Sequence, residues 1–347
     1  MDDVARFPAN DRTDLFRASA AKRGVSASII EKDFWVCWTL KRVFTLREPP
    51  AGLIFKGGTS LSKAYGAIER FSEDVDLSFR REDLGFGGEN DPTVAVSGKK
   101  RAKRIEDLAA ACRAMVRDRL KPRLEEAISE ALGMPASPET WELGFDADDQ
   151  ESETVVFRYP RGITQGAQAI PAYLLPQVRL ETGARGEHWP AEQREILPYA
   201  AQTHSELFRD PACLVRVLGA ERTFFEKLSV LHACYHCPAL RPLRPRQSRH
   251  YYDVARLYEV GIGKKALEDP NLLRAVSAHQ TAFFHTSWAK YEEAVPGTLR
   301  LVPPTTRMAE LEDDYEKMQE MIFGEAPAFS HILAVLSEIE RTANADS

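Results

Sequence analysis

The sequence has no run of about 18 uncharged apolar residues, which argues against an ordinary membrane-spanning helix. Its first residues, MDDVARFPANDR, are acidic and polar where a secretory leader is basic and then apolar. A cytoplasmic location without membrane attachment is the expectation. Cysteine is sparse and odd in number: Cys37, Cys112, Cys213, Cys234 and Cys237 are the 5 in 347 residues, which argues against a disulfide framework and for reduced thiols. The net charge of -6 provides no global attraction to nucleic acid, so any such attraction must come from local patches. There is neither an internal repeat nor a low-complexity tract. At 44% hydrophobic and 28% charged, the chain is long enough for one large domain or two ordinary ones.

Periodicity divides what is present. Residues 11–46 read as two helices, the second through SIIEKDFWVCWTLKRVF, where Ile29, Ile30, Phe34, Trp38 and Leu40 to Val43 recur at helical spacing. GLIF predicts a strand, residues 60–67 a helix, and DVDLSF a half-buried strand. Residues 85–98 form a loop. Residues 99–132 predict one long helix carrying KKRAKR and RDRLKPR, kinked at Pro122. Strands follow in ETVVFRYP and AYLLPQVRLETG, then a charged, proline-punctuated connection over 190–210, then a short strand in CLVRVLG. Helices beginning with ERTFFEKLSVLHACYH and SRHYYDVARLYEV continue to about residue 342. The expectation is an α+β fold, with a mixed sheet flanked by helices over residues 1–210 and a mostly helical domain over 211–347.

The densest chemistry lies in FKGGTSLSKAYGAIERFSEDVDLSF. A strand running into Gly57 and Gly58, with a helix starting at Thr59 or Ser60, leaves free backbone N–H groups that a phosphate can approach. The Thr59 and Ser60 hydroxyls and Lys63 extend this candidate substrate-binding set. The same residues also read as a plain turn with an N-cap. Asp74 and Asp76, two apart on a strand, point to one face, and a divalent cation with oxygen ligands, Mg²⁺ or Mn²⁺, is the natural resolution of their repulsion, although an exposed strand face also often carries acids. In QVRLETG, Glu181 has the same polar-side geometry and is either a third ligand or a solvated edge residue.

Later motifs carry two readings each. Phe224, Leu228, Leu231 and Tyr235 form an apolar stripe bordered by Lys227, whose ammonium either snorkels to water or meets a triphosphate. Arg249 is a further candidate substrate-binding residue or, four before Asp253, can form an intrahelical ion pair with it, and His250 reads as a surface or packing residue. Cys234 and Cys237, with His232 and His236, lack the second ligand pair that structural zinc requires.

The glycine turn followed by RFSEDVDLSF resembles the AbiEii/AbiGii toxin family of nucleotidyltransferases, whose core is polymerase β-like. EKDFWV, VRLETGAR, RTFFEKLSVLHA and RHYYDVARL are similar to that family as well, so the resemblance covers roughly residues 28 to 290. It implies phosphate-binding roles for Gly58 and Ser60, metal-binding and catalytic roles for Asp74 and Asp76, nucleotide contact for Lys227, and a supporting catalytic role for Asp253. It further implies NTP as substrate, a helical domain that completes the active site, a toxin of a type IV toxin–antitoxin or phage-defence system, and an AbiEi-like antitoxin encoded nearby. A tRNA 3′ end is the acceptor this suggests. The arginine-rich segments, including RPLRPRQSR, offer an electrostatic track for RNA. Transfer to a small molecule or to protein, and non-catalytic nucleotide or RNA binding, stand as alternatives.

Overall fold

Alternation in DVDLSF puts Val75 and Leu77 on the opposite side from Asp74 and Asp76, and that division between an apolar and an acidic face organises the sheet around it. In the computed structural model of the chain, which describes residues 1–47, 52–134, 140–149, 153–163 and 175–345, the strands are β1 (Leu53–Lys56), β2 (Asp74–Phe79), β3 (Glu142–Phe145), β4 (Thr154–Arg158), β5 (Gln177–Gly183), β6 (Ala191–Ile196) and β7 (Cys213–Leu218). Among the described residues they form one mixed sheet in the order β3-β4-β5-β2-β1-β7-β6. β2 runs antiparallel to β1 and parallel to β5, while β1 is parallel to β7 and β4 antiparallel to both β3 and β5.

The helices are α1 (Asp2–Ala5), α2 (Ala9–Arg23), α3 (Ala27–Phe44), α4 (Gly57–Lys63), α5 (Gly98–Met115), α6 (Lys121–Leu132), α7 (Tyr199–Thr203), α8 (Ala220–His236), α9 (Ser248–Glu259), α10 (Ile262–Leu267), α11 (Pro270–Phe283), α12 (Met308–Met318) and α13 (Phe329–Ala345). Two compact units result. One gathers Met1–Ala64, Phe71–Asp91 and Lys103–Val217, and the other Tyr65–Arg70, Pro92–Ala102 and Leu218–Ser347. The α+β character expected from periodicity is what the chain adopts.

Within the sheet-bearing unit, α3 covers the apolar face. Ser26 caps its start by accepting the Ile29 N–H at 3.3 Å. Trp35 and Trp38 bring ring centroids to 6.0 and 5.6 Å from Phe157 of β4, and Trp35 stacks on Tyr159 at 5.4 Å. Phe157 stands opposite Val178 in β5, and Val155 opposite Leu180, so the aromatic cluster continues into a Val/Leu layer. All of these side chains are buried. In the second unit, α8 and α9 bury Phe224, Phe225, Leu228, Leu231, Tyr251, Tyr252 and Val254.

Several boundaries differ from the sequence-based expectation. The helix placed over 60–67 begins at Gly57 and ends at Lys63. The long helix over 99–132 is interrupted by a π turn at Val116–Leu120, immediately before the helix that carries Pro122. Proline lacks an N–H and crowds the carbonyl four residues back, and the wider turn accommodates both effects without a break. The connection over 190–210 contains β6, whose AEQREI is mostly exposed and charged, as an edge strand tolerates. β3 also escapes the sequence reading. Of the strand expected in AYLLPQVRLETG, residues 172–174 lie outside the described residues. No helix among the described residues is long and apolar enough to cross a membrane.

The cluster of Trp35, Trp38, Phe157 and Tyr159 couples α3 to the sheet, so Phe157→Ala should lower the unfolding free energy by about 3–5 kcal/mol, as large-to-small changes at buried aromatics do. Urea titration followed by circular dichroism measures it. A loss below about 1 kcal/mol would show that α3 does not depend on this contact.

Candidate active site

β2 sits between β1 and β5, and its register sets the charges of the acidic face. Asp76 stands opposite Lys56 of β1 on one side and Glu181 of β5 on the other, while Asp74 stands opposite Arg179. Paired residues of adjacent strands share a face, so Asp74, Asp76 and Glu181 come together on the side away from α3. Arg179 lies among the acids: its Nε is 3.6 Å from Asp74 Oδ1, its Nη2 is 3.5 Å from Glu181 Oε1, and its Nη1 contacts Asp146 Oδ2. Asp146, just beyond β3, and Arg179 escaped the sequence reading. The only signal for Arg179 was its parity with Glu181, and nothing local marks Asp146.

The glycine turn is built against this cluster. Gly57 has φ +77°, and a Cβ there would lie 2.0 Å from Asp76 Oδ2 and 2.7 Å from Asp76 Cγ. The residue is therefore glycine for two reasons, the left-handed backbone and the approach of the carboxylate. The N-cap residue of α4, Lys56, makes no side-chain cap to the helix. The hydroxyls expected beside a ligand face inward instead. Thr59 Oγ1 donates to the Asp74 carbonyl at 2.5 Å and lies 2.9 Å from Ser72 Oγ, tying α4 to the start of β2. Ser60 Oγ donates to the Gly57 carbonyl at 2.8 Å, holding the turn closed, and is fully buried. Lys63 is buried as well. Its Nζ is 2.5 Å from Asp33 Oδ1 and 3.7 Å from the centre of the Tyr199 ring. Burial is the largest influence and opposes its charge, but Asp33, Cys37 and Tyr199 together outweigh it and raise the Lys63 pKa, so the ammonium persists.

Whether these residues suit a divalent ion follows from their chemistry. Among the described residues, no three His, Cys, Asp or Glu side chains already converge as a metal cage. Asp74, Asp76 and Glu181 nevertheless present hard carboxylate oxygens from adjacent strands on one face, the donor type Mg²⁺ and Mn²⁺ prefer. Arg179 supplies the positive charge that this face requires when no ion is bound. The donor set fits.

In the second unit, Lys227 and Asp253 come together around a third residue. Arg70 Nε and Nη2 each donate to Asp253 at 2.7 Å in a bidentate fork, and Lys227 Nζ is 2.8 Å from Asp253 Oδ2. Asp253 is 0% exposed and Arg70 3% exposed, so the cluster is removed from water. Burial works against ionising Asp253, but Arg70 and Lys227 outweigh it and hold the carboxyl well below its usual range. The intrahelical pair of Arg249 with Asp253 is thus replaced by long-range partners. Lys227 does not snorkel outward. Its pKa is lowered by burial, with Asp253 opposing that effect. His250, 3.5 Å from Lys227 through Nδ1, is kept neutral by burial and by that ammonium. Arg70 lies in the RFSEDVDLSF motif, but its partner is 183 residues away and invisible to local pattern.

Two outcomes are expected. Gly57→Ala should cost about 1–2 kcal/mol from backbone strain alone. Because the new methyl meets Asp76, the cost should fall when Asp76→Ala is combined with it, with a coupling on the order of 1 kcal/mol in a double-mutant cycle. Additive effects would separate the turn from the acid. For Asp253, a folded pKa depressed below the unfolded value of about 3.9 gives stability that is present above that pH and is lost as pH falls through the folded pKa. Asp253→Asn should leave Arg70 and Lys227 uncompensated, cost about 3–5 kcal/mol at pH 7, and flatten the acid limb below about pH 4. Melting curves from pH 7 to pH 3 measure both effects, and an unchanged acid limb would contradict the assignment.

Comparison with known proteins places the chain in a family. No curated protein matches the chain. A solved structure of MenT4, a nucleotidyltransferase toxin from Mycobacterium tuberculosis H37Rv, is similar at 16% identity and a TM-score of 0.45, covering 96% of this chain and 94% of that one. Residues 38–335 match the family described as nucleotidyl transferase AbiEii toxin, type IV toxin–antitoxin system, a stretch that spans the acidic face, the glycine turn and the Arg70–Asp253–Lys227 cluster. The chain belongs to the AbiEii nucleotidyl transferase toxins.

Proposed function

We propose that the protein transfers a nucleoside monophosphate from an NTP to an RNA acceptor, with a tRNA 3′ end as the target, and releases pyrophosphate. The observation that carries this reading is the placement of Asp74, Asp76 and Glu181 on one sheet face beside a glycine turn that touches Asp76. Asp74 and Asp76, with Glu181, would hold Mg²⁺ or Mn²⁺. Such an ion, when bound, neutralises phosphate charge and lowers the pKa of the attacking hydroxyl.

The chain's own residues do the rest. Backbone N–H groups from Gly57 to Ser60 bind phosphate oxygens, because they open a helix whose N-cap residue Lys56 offers no side-chain cap and glycine admits close approach. Ser60 and Thr59 act indirectly, by holding the Gly57 carbonyl and the Asp74 backbone. Lys63 is likewise a positioning residue. Lys227 is assigned a phosphate contact, with Asp253 and Arg70 fixing its ammonium, and Arg249 an outer contact. A type IV system implies an antitoxin, which we assign as an AbiEi-like protein encoded nearby. The cytoplasm, where NTPs and tRNA are found, is the assigned location.

One observation favours a second reading, transfer to a small molecule. Part of the basic run proposed to meet RNA is already engaged: Lys103 pairs with Asp107 at 2.8 Å, and Arg104 donates to the Asp91 carbonyl at 2.8 Å.

Incubating the protein with each labelled NTP, Mg²⁺ and total cellular RNA or lysate distinguishes the acceptors. Label is expected in RNA of tRNA size and should disappear with Asp76→Ala, while the circular dichroism of that variant stays unchanged, because removing one of two like charges relieves repulsion. Label in protein or in small molecules alone would overturn the RNA assignment. Activity retained by Asp76→Ala would overturn the metal-site assignment.

A further inference from the structure

EKDFWV stands out in the sequence, yet none of its charged residues has a place in the chemistry above. Glu31, Lys32 and Asp33 are 4%, 2% and 4% exposed in the middle of α3, three consecutive ionisable side chains in an apolar layer. Successive residues of a helix point about 100° apart, so the three reach different segments. Glu31 Oε1 accepts the Gly162 N–H at 2.7 Å and the Ile163 N–H at 3.3 Å. Lys32 Nζ donates to Glu73 Oε2 at 2.7 Å. Asp33 accepts from Lys63 Nζ at 2.5 Å through Oδ1 and from the Tyr199 N–H at 2.6 Å through Oδ2.

Two of these ties end at the two halves of the candidate site. Glu73 immediately precedes Asp74 and, by strand parity, lies on the α3 side while Asp74 faces the other way. Lys63 is the last residue of α4, the short helix whose first residues are Gly57 and Gly58. Burying ionisable groups is costly, and an apolar pair of similar volume would serve packing as well or better. An ion pair adds what an apolar contact lacks, a fixed distance and direction at each end.

We propose that Lys32 and Asp33 are positioning residues of the active site: α3 clamps the carboxylate strand through Lys32–Glu73 and the phosphate turn through Asp33–Lys63, and so sets the spacing between metal ligands and triphosphate. The inference rests on the nucleotidyl-transfer reading above. Neither residue touches substrate. The first tie governs where Asp74 and Asp76 stand and therefore the chemical step. The second governs the turn and therefore NTP binding. Burial lowers the Lys32 pKa and Glu73 opposes this, consistent with a pair that depends on its partner for charge.

The test alters the length of each tie while keeping its charge. Lys32→Arg and Asp33→Glu are compared with wild type and with Asp76→Asn for melting temperature, Mn²⁺ affinity by calorimetry, labelled-NTP binding, and kcat and KM for transfer. Misplacement by about 1 Å costs about 100-fold in rate, so Lys32→Arg should lower kcat by about 10- to 100-fold and weaken Mn²⁺ binding with NTP affinity nearly unchanged. Asp33→Glu should weaken NTP binding and raise KM by about tenfold while Mn²⁺ binding holds. The neutral pairs Lys32→Met with Glu73→Gln, and Asp33→Asn with Lys63→Met, should reproduce the same split if they fold. A lower melting temperature with unchanged kcat, KM and affinities in the length variants, or parallel losses of both affinities in both, would reduce the ties to packing and overturn the clamp. An inactive wild type that binds neither Mn²⁺ nor NTP would instead overturn the nucleotidyl-transfer reading, and the clamp with it.

Discussion

The register of β2 against β5 is the constraint on which the acidic face depends. Side chains alternate with period 2, so a slip of one residue would turn Asp74 and Asp76 toward the aromatic layer under α3 and bring Val75 and Leu77 to the other side. Burial makes that slip prohibitive, because two carboxylates would enter a layer formed by Trp35, Trp38 and Phe157. The apolar side of β2 thereby fixes the position of its acidic side. The same register sets Glu181 beside Asp76 and Arg179 beside Asp74, so the alternation of charge across strands is inherited from packing.

Charge is handled in two ways in this molecule. On the open sheet face, Asp74 and Glu181 remain partly exposed, 24% and 41% at the side chain, and lie 3.5 to 3.6 Å from one guanidinium, which Asp146 also contacts. Inside each unit, by contrast, ionised groups are locked at 2.5 to 2.8 Å with exposures near zero, as in Lys63–Asp33 and in Arg70–Asp253–Lys227. Buried pairs of this kind contribute little net stability relative to apolar packing, but losing one partner is expensive, so they specify geometry more than they add free energy.

The glycine turn links the two. Gly57 allows the Asp76 carboxylate to approach a backbone that a methyl group would block, while Ser60 and Thr59 turn their hydroxyls inward to hold that backbone in place. Hydroxyl-rich turns are easily read as ligand contacts. Here the hydroxyls are consumed by local satisfaction, since a buried O–H without a partner is costly.

How much was legible in the sequence differs between elements for physical reasons. DVDLSF and the core of VRLETG announce themselves by period-2 alternation, because one face is buried and the other less so, whereas LIFK reads as a short apolar run because both of its faces are covered. β6 did not, because an exposed edge strand needs no apolar face, and AEQREI carries none. The sequence alone determined the α+β class, the side on which Asp74, Asp76 and Glu181 project, and the need for glycine beside them, since these follow from local sterics and strand parity. Tertiary structure alone decided that Asp253 would pair with Arg70 instead of Arg249, that Lys63 would turn inward to Asp33, and that Arg179 would stand among the acids. Those choices join residues as many as 183 positions apart. They are made by the desolvation of charge, which depends on what surrounds a side chain in space and leaves no periodic trace along the chain.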